Sequence, residues 1–349
     1  MHELNIKILG TSNGIIKGGY AAHLLENARV NVLQNLSIGS SHPTVIAHAL
    51  ERSDLSQREE FLLLDVCVNE QRAMSKNRYE QSISVSMFRH FLSYCFEVGV
   101  TPVVLLLPVL GEDGQLITET TERWKSLCDQ YFVRYLDVFE LANRFGTAKD
   151  LWRDSNHPSI EFSEKIAEET FHIFSELHSE NKKHGFFEMA RKAINMFRSS
   201  SRNPVKERIS SKLDIIHLNS ERKVVRKTNL LSVDFCVYDE NSKLVISSGG
   251  DFRILGFALD MAHTHSALKL SGKNIVIQRF DNSYYDESKK LWYVSWSLLK
   301  PVYSQEGKVE VSFLKPKRDG EFLLNDHTPF QPERRSVTAE LESVLVEYV

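Results

Sequence analysis

The runs "FLLLDVCV" (61–68) and "TPVVLLLP" (101–108) constrain the fold most. A strand with one face in water alternates apolar and polar residues. These runs barely do, so they suit strands covered on both faces, as in a parallel sheet between helices. "LNIKILG", "VNVLQNL" and "VRYLDV" add three more candidate strands. Amphipathic stretches near 43–52, 79–98, 118–130 and 160–178 fall among them. The repeated strand–helix order predicts a three-layer α/β domain over residues 1–180.

From about residue 213 the period changes to two. "LLSVDFCVYD", "KLVISS", "FRILGFALD", "KNIVIQRFD", "LWYVSWSLL" and "KVEVSFLK" are separated by Asn, Gly, Asp and Ser. Short alternating strands with turn residues between them predict an antiparallel β-sandwich or jelly roll over 212–328. A chain of 349 residues can bury two cores, so two domains are expected. Residues 181–211 read as a basic helical linker, and 329–349 as a charged tail, only partly ordered. In the linker, Phe186, Met189, Ala190, Ala193, Ile194 and Phe197 recur at helical spacing. Lys182, Lys183, Arg191, Lys192, Arg198, Arg202 and Lys206 stand against the single acid Glu188 across 182–206. This pattern suits either a packed connecting helix or a surface for an anionic partner.

A net charge of −3 gives no overall attraction to nucleic acid or anionic membrane. No apolar run is long enough to span a bilayer, so no transmembrane segment is expected. The first residues lack the basic-then-apolar pattern of a signal peptide. Cys67, Cys95, Cys128 and Cys236 lie in apolar or amphipathic segments without metal-ligand spacing, and read as reduced core residues. Together these features predict a cytoplasmic location. There is no GxxxxGK[ST] or convincing GxGxxG, so no nucleotide cofactor is expected.

The chemistry gathers at the strand ends. Ser12 follows the first strand in "GTSNG", Gly39 the second in "NLSIGSS", and Asn69 the third in "DVCVNE". Asp154 and His157 lie in "RDSNHPS", just before the last helix. In a parallel sheet these loops open on one edge. A serine hydroxyl needs an imidazole to take its proton, and the imidazole needs a carboxylate to hold its tautomer. Backbone amides and an Asn amide can hold the oxyanion of a tetrahedral intermediate. Each residue also has a structural reading: Ser12 or Asn13 as a helix cap, Gly39 as a positive-φ position, Asn69 as a turn residue, and Ser159 as the cap of the last helix. Ser40 and Ser41 are rival hydroxyls.

Taken in order, these four blocks resemble the SGNH (GDSL-like) hydrolase superfamily, over residues 4–180 only. The resemblance implies a flavodoxin-like α/β/α fold. It also implies Ser12 as nucleophile, His157 as general base, Asp154 as its orienter, and an oxyanion hole from Ser12, Gly39 and Asn69. The sequence departs from the family pattern at Thr11, where Asp precedes the nucleophile, at Cys67, in place of glycine, and at Glu70, where Asp follows Asn. The implied activity is cleavage or transfer of acyl esters, often O-acetyl groups on carbohydrates, with no metal. An esterase would pass the acyl group to water. An O-acetyltransferase would pass it to a sugar, as in surface polysaccharide biosynthesis, with acetyl-CoA or a partner-bound donor. The alternative is a catalytically degenerate SGNH fold that binds or scaffolds glycans.

Two further groups stand out. His263 and His265 in "MAHTHSA" have a strand-like i,i+2 spacing without an apparent third ligand, and read as surface or sandwich-edge residues. Tyr284, Tyr285, Trp292, Tyr293 and Trp296 read mainly as core and turn residues, with a sugar-stacking platform as the other reading.

Overall fold

The computed structural model describes residues 3–54, 59–74, 80–184, 213–228, 231–280, 288–315 and 337–349. Contacts divide the chain into two units, Met1–Lys76 with Ser84–Ser211, and Asn77–Ile83 with Lys212–Val349.

The first unit opens with β1 (Leu4–Leu9), a 3-10 turn (Ser12–Gly14), α1 (Tyr20–Glu26), β2 (Val30–Asn35), α2 (Val45–Glu51), β3 (Phe61–Leu64) and α3 (Cys67–Met74). It continues through α4 (Gln81–Val98), β4 (Thr101–Leu106), the short pair β5 (Val109–Leu110) and β6 (Leu116–Ile117), α5 (Glu119–Tyr131) and β7 (Arg134–Asp137). It ends with α6 (Val138–Phe145), α7 (Ala148–Leu151) and α8 (Ile160–His184). The sheet order is β2-β1-β3-β4-β7, with every pairing parallel. This is the flavodoxin-like order, whose switch point beside β1 places ligands outside the carboxyl ends of the strands. On one face, Ile6, Ile8, Leu63 and Leu105 pack with Tyr20 and Leu24 of α1 and Phe162, Ile166 and Phe174 of α8. The alternate residues Leu62, Leu64, Val104 and Leu106 are fully buried too. Both faces are therefore covered, which explains why these runs do not alternate.

Two differences from the sequence reading matter for the site. The run "FLLLDVCV" is not one strand: β3 stops at Leu64 and α3 starts at Cys67. An apolar run shows burial without separating a strand from a buried helical turn. Short α1 and α6 also carried too few turns for their period to stand out.

The second unit holds β8 (Leu213–His217), β9 (Lys223–Lys227), β10 (Ser232–Tyr238), β11 (Lys243–Ser247) and β12 (Phe252–Asp260). It continues with β13 (Ala267–Ser271), β14 (Ile275–Arg279), β15 (Tyr293–Tyr303), β16 (Lys308–Leu314) and β17 (Ala339–Tyr348). One sheet runs β15-β12-β17-β10-β9, with β8 also on β17, and the other runs β11-β16-β13-β14. Phe257, Leu259 and Val344 of the first sheet share one core with Ile246, Leu270 and Val311 of the second, which makes a sandwich.

β17 corrects the reading of 329–349 as a charged tail. Residues 339–348 form a strand at the centre of the larger sheet, paired with β12, β10 and β8. Two of the acids that suggested a tail are neutralised there. Glu340 takes the Arg226 guanidinium at 2.6 and 3.0 Å, and Glu347 takes Arg253 Nε at 2.7 Å. Residues 329–336 and, from 185 onward, the basic linker and its anionic-partner surface fall outside the described residues, as do Tyr284 and Tyr285. Among the described residues, no helix is long and apolar enough to cross a membrane.

Candidate active site

Register explains why the chemistry collects at one edge. Leu9 at the end of β1 pairs with Leu64 at the end of β3, so the turn after β1 and helix α3 start side by side. Thr11 caps the 3-10 turn Ser12–Gly14 without a side-chain bond, and the Ser12 hydroxyl is directed elsewhere. The turn is held by backbone contacts: Asn35 Nδ2 donates to the Gly14 carbonyl at 2.6 Å. A Cβ on Gly14 would lie 2.2 Å from Ser37 Oγ, so only glycine fits against the β2 loop.

Asp154 and His157 form a compact local turn. Asp154 Oδ1 accepts the amides of Asn156 at 2.8 Å and His157 at 3.0 Å. The ring nitrogen His157 Nδ1 lies 2.8 Å from the same carboxylate. Nε2 of that ring lies 2.9 Å from Ser12 Oγ. Partial burial alone would raise the Asp154 carboxyl. The Asn156 amide and the His157 ring and amide outweigh it and hold the group below its ordinary value. A carboxylate bound to Nδ1 requires the proton there, which leaves the Nε2 lone pair facing the serine hydroxyl. Ser159 Oγ accepts the Phe162 amide at 3.1 Å, capping α8 as the sequence suggested.

Gly39 does not supply a positive φ. That conformation belongs to its neighbour Ser40, at φ 59°. A Cβ on Gly39 would lie 3.9 Å from Ser12 Cβ and 3.4 Å from Ile15 Cδ1, so the glycine keeps the approach to Ser12 open. Asn69, in the first turn of α3, donates through Nδ2 to the Ser41 carbonyl at 3.0 Å, which ties it to the loop that carries Gly39. That contact uses one of its two amide hydrogens. Among the described residues, no hydrogen bond takes up the backbone amides of Ser12 or Gly39. Ser12, Gly39, Asp154 and His157 are therefore brought together directly, and Asn69 through Ser41.

Other residues of this region were not legible in the sequence. Asn13, almost fully buried, donates through Nδ2 to the Asn156 carbonyl at 3.1 Å and clamps the serine turn to the histidine turn. Glu70, flagged only as a departure, is completely buried behind Asn69. It accepts Arg123 Nη2 at 2.6 Å, Trp124 Nε1 at 2.5 Å and the Ser84 hydroxyl. Burial pushes this carboxyl up, while Arg123 and the Ser84 and Trp124 donors pull it back. The partners are 14 to 54 residues away in sequence, so no local pattern could announce them. The four cysteines are buried and unpaired, and burial raises the thiols of Cys67, Cys95 and Cys128.

In the second unit, His263 and His265 are buried and not at the surface, because they follow β12 in a turn covered by β17. His263 Nδ1 lies 2.8 Å from Asp260 Oδ2, and ligand atoms of Asp260, His263 and Glu340 lie within 4.8 Å of one another. The Arg226 guanidinium already supplies the positive charge between the two acids. Tyr293 and Trp296 are core residues.

Neither a family model nor a curated protein sequence matches the chain. Among solved structures it is similar to a two-domain esterase (CEX) active on acetylated mannans, at TM-score 0.56 and 13% identity, over 99% of this chain and 92% of that one. The same esterase co-crystallised with mannopentaose aligns at TM-score 0.59 and 12% identity, over 100% of this chain and 92% of that one. At these identities the likeness is one of fold.

Proposed function

From the SGNH hydrolase fold, which this chain carries, we propose that it is a serine esterase that removes O-acetyl groups from a carbohydrate. The observation that carries the reading is the line Ser12 Oγ–His157 Nε2–His157 Nδ1–Asp154, with links of 2.9 and 2.8 Å. A buried structural serine has no need of such a line. The carbohydrate is taken from the esterase of the same fold, which acts on acetylated mannans.

Ser12 Oγ attacks the acetyl carbonyl as its proton passes to His157 Nε2. Asp154 holds the ring in the required tautomer and stabilises the imidazolium. The negative charge on the carbonyl oxygen is received by the amides of Ser12 and Gly39 and the remaining Asn69 amide hydrogen. Each donor of this kind contributes about 3 kcal/mol to the transition state. His157 then gives its proton to the departing sugar oxygen as the C–O bond breaks, leaving acetyl-Ser12. Water, deprotonated by His157, attacks that ester, and acetate leaves as the proton returns to Ser12.

Thr11 and Glu70 do not require a degenerate site. Neither occupies a position that touches the reacting atoms in this scheme, and Glu70 still anchors the start of α3 behind Asn69. The test is acetate release from acetylated mannan, with and without acceptor sugar. Free acetate at an acceptor-independent rate supports the esterase. A product that forms only with acceptor, from acetyl-CoA or an acetylated glycan, would assign a transferase. Glycan binding without turnover would assign a scaffold.

A further inference from the structure

Asp65 is the first residue after β3, and its amide donates to the Leu9 carbonyl at 2.9 Å. It therefore lies beside Gly10, where the chain enters the serine turn. A Cβ on Gly10 would lie 3.3 Å from Asp65 Cβ, 3.2 Å from the Tyr20 hydroxyl and 3.1 Å from Ser37 Oγ. Asp65 and Thr11 are completely buried, and Tyr20 almost so. The Thr11 hydroxyl and amide and the Tyr20 hydroxyl face the Asp65 carboxyl. Among the described residues, no hydrogen bond closes on the two Asp65 carboxylate oxygens, the Thr11 hydroxyl or the Tyr20 hydroxyl, so these buried groups are left to one another.

A carboxyl under an apolar sheet is costly, and an Ala or Val there would not be. Its immediate neighbour is Thr11, the position at which this sequence lacks the acid of the resembling family. We infer that Asp65 is the positioning residue of the serine turn, holding Ser12 through Thr11 from just past the end of β3. This rests on Ser12 being the nucleophile. The turn is then fixed from two sides, by Asn13 on the histidine loop and by Asp65 from beneath.

The electrostatics agree with that placement. Burial pushes the Asp65 carboxyl up from 3.8 to about 7, and the Tyr20 and Thr11 donors offset only part of it. The other titratable groups on it are the Tyr20 phenol from α1 and the Cys67 thiol from α3, both raised by burial and by the Asp65 charge. Within reach of neutral pH, the donors of Thr11 thus meet a carboxyl that changes charge.

The test uses the full-length protein with Asp65→Asn, Thr11→Val and the double variant, followed by thermal denaturation and by kinetics on p-nitrophenyl acetate. Asp65→Asn is close to isosteric and should fold. Its kcat should fall about tenfold with KM little changed, and its activity profile between pH 6 and 8 should differ in shape from wild type. The Tm losses of the single variants should be non-additive, the double variant losing less than their sum. Moving the acid, as Thr11→Asp with Asp65→Thr, should recover more kcat than Asp65→Thr alone. Additive Tm losses together with a wild-type kcat and pH profile in Asp65→Asn would overturn the assignment. The Tm cycle decides the Thr11–Asp65 link even if wild type cleaves no ester, an outcome that would instead count against Ser12 as nucleophile.

Discussion

Two Asp-x-x-His turns in this molecule are built alike and placed differently. In the first unit, Asp154 accepts the amide two residues on and holds His157 Nδ1 at 2.8 Å. In the second, Asp260 accepts the Ala262 amide at 3.0 Å and holds His263 Nδ1 at 2.8 Å. The first carboxylate is half exposed, at the carboxyl edge of a parallel sheet, and its histidine faces a serine. The second is completely buried, accepts the Trp292 amide as well, and lies against an Arg226–Glu340 pair. Spacing sets the local geometry in both. What the turn can do is decided by the element opposite it: a serine hydroxyl in one case, an ion pair in the other.

The largest effects should separate the two turns most cleanly. Ser12→Ala and His157→Ala should each lower kcat by about 10⁴- to 10⁶-fold, as for other members of a coupled triad, with little change in Tm. Asp260→Ala should do the reverse. It strands the buried His263 ring and the Ala262 and Trp292 amides, costing about 3–5 kcal/mol of stability, while the folded fraction keeps its kcat. Urea denaturation beside active-site titration measures both. Equal loss of kcat in Asp260→Ala and His157→Ala would erase the distinction.

Intermediate effects test how the first turn is held. Gly14→Ala drives a methyl into Ser37 and should cost about a hundredfold in kcat through displacement of Ser12. Ser37→Gly in the same chain should restore much of it, because both close atoms, Ser37 Oγ and Cβ, are then removed. Asn13→Ala breaks the link to Asn156 and leaves a half-buried carbonyl unpaired, at about 1 kcal/mol, with a smaller loss of kcat than Gly14→Ala.

A further effect, with the least change in kcat from wild type to read, is in the pH dependence of stability. Asp65 has a raised folded pKa, so the native state binds more protons than the unfolded state between pH 3.8 and about 7. Stability from this group is complete below that window and declines as pH rises through it. Asp154, with a lowered pKa, acts in the opposite sense: its contribution is present above 3.8 and is lost as pH falls further. Denaturation midpoints of Asp65→Asn and wild type should therefore diverge from pH 4 to 7 and run parallel above it. Parallel curves throughout would contradict a buried, titrating Asp65.

The sequence carried the frame of this account. Unbroken apolar runs identified a sheet covered on both faces, and residues at successive strand ends identified the edge. What it concealed was long-range charge compensation. "AELESVLVEY" reads as a solvated tail until Arg226 and Arg253 are seen across the sheet, at separations of 114 and 94 residues. Glu70 looked like an imperfect Asp until Arg123 and Trp124 were placed around it. Asp65 was hidden inside an apolar run, where a single acid reads as the end of a strand. His263 misled in the other direction, since neighbouring Glu340, which with Asp260 completes its cluster, lies on the strand that was missed.

The proposed esterase stands on Ser12 as nucleophile, activated by His157. The most direct test is mass-spectrometric mapping of a fluorophosphonate adduct on wild type, Ser12→Ala, His157→Ala and Asp260→Ala. This role of Ser12 predicts one adduct on the peptide containing Ser12, absent in Ser12→Ala, formed at least a hundredfold more slowly in His157→Ala, and formed at the wild-type rate in Asp260→Ala. An adduct on another serine, such as Ser40 or Ser41, or undiminished labelling in His157→Ala, would contradict it.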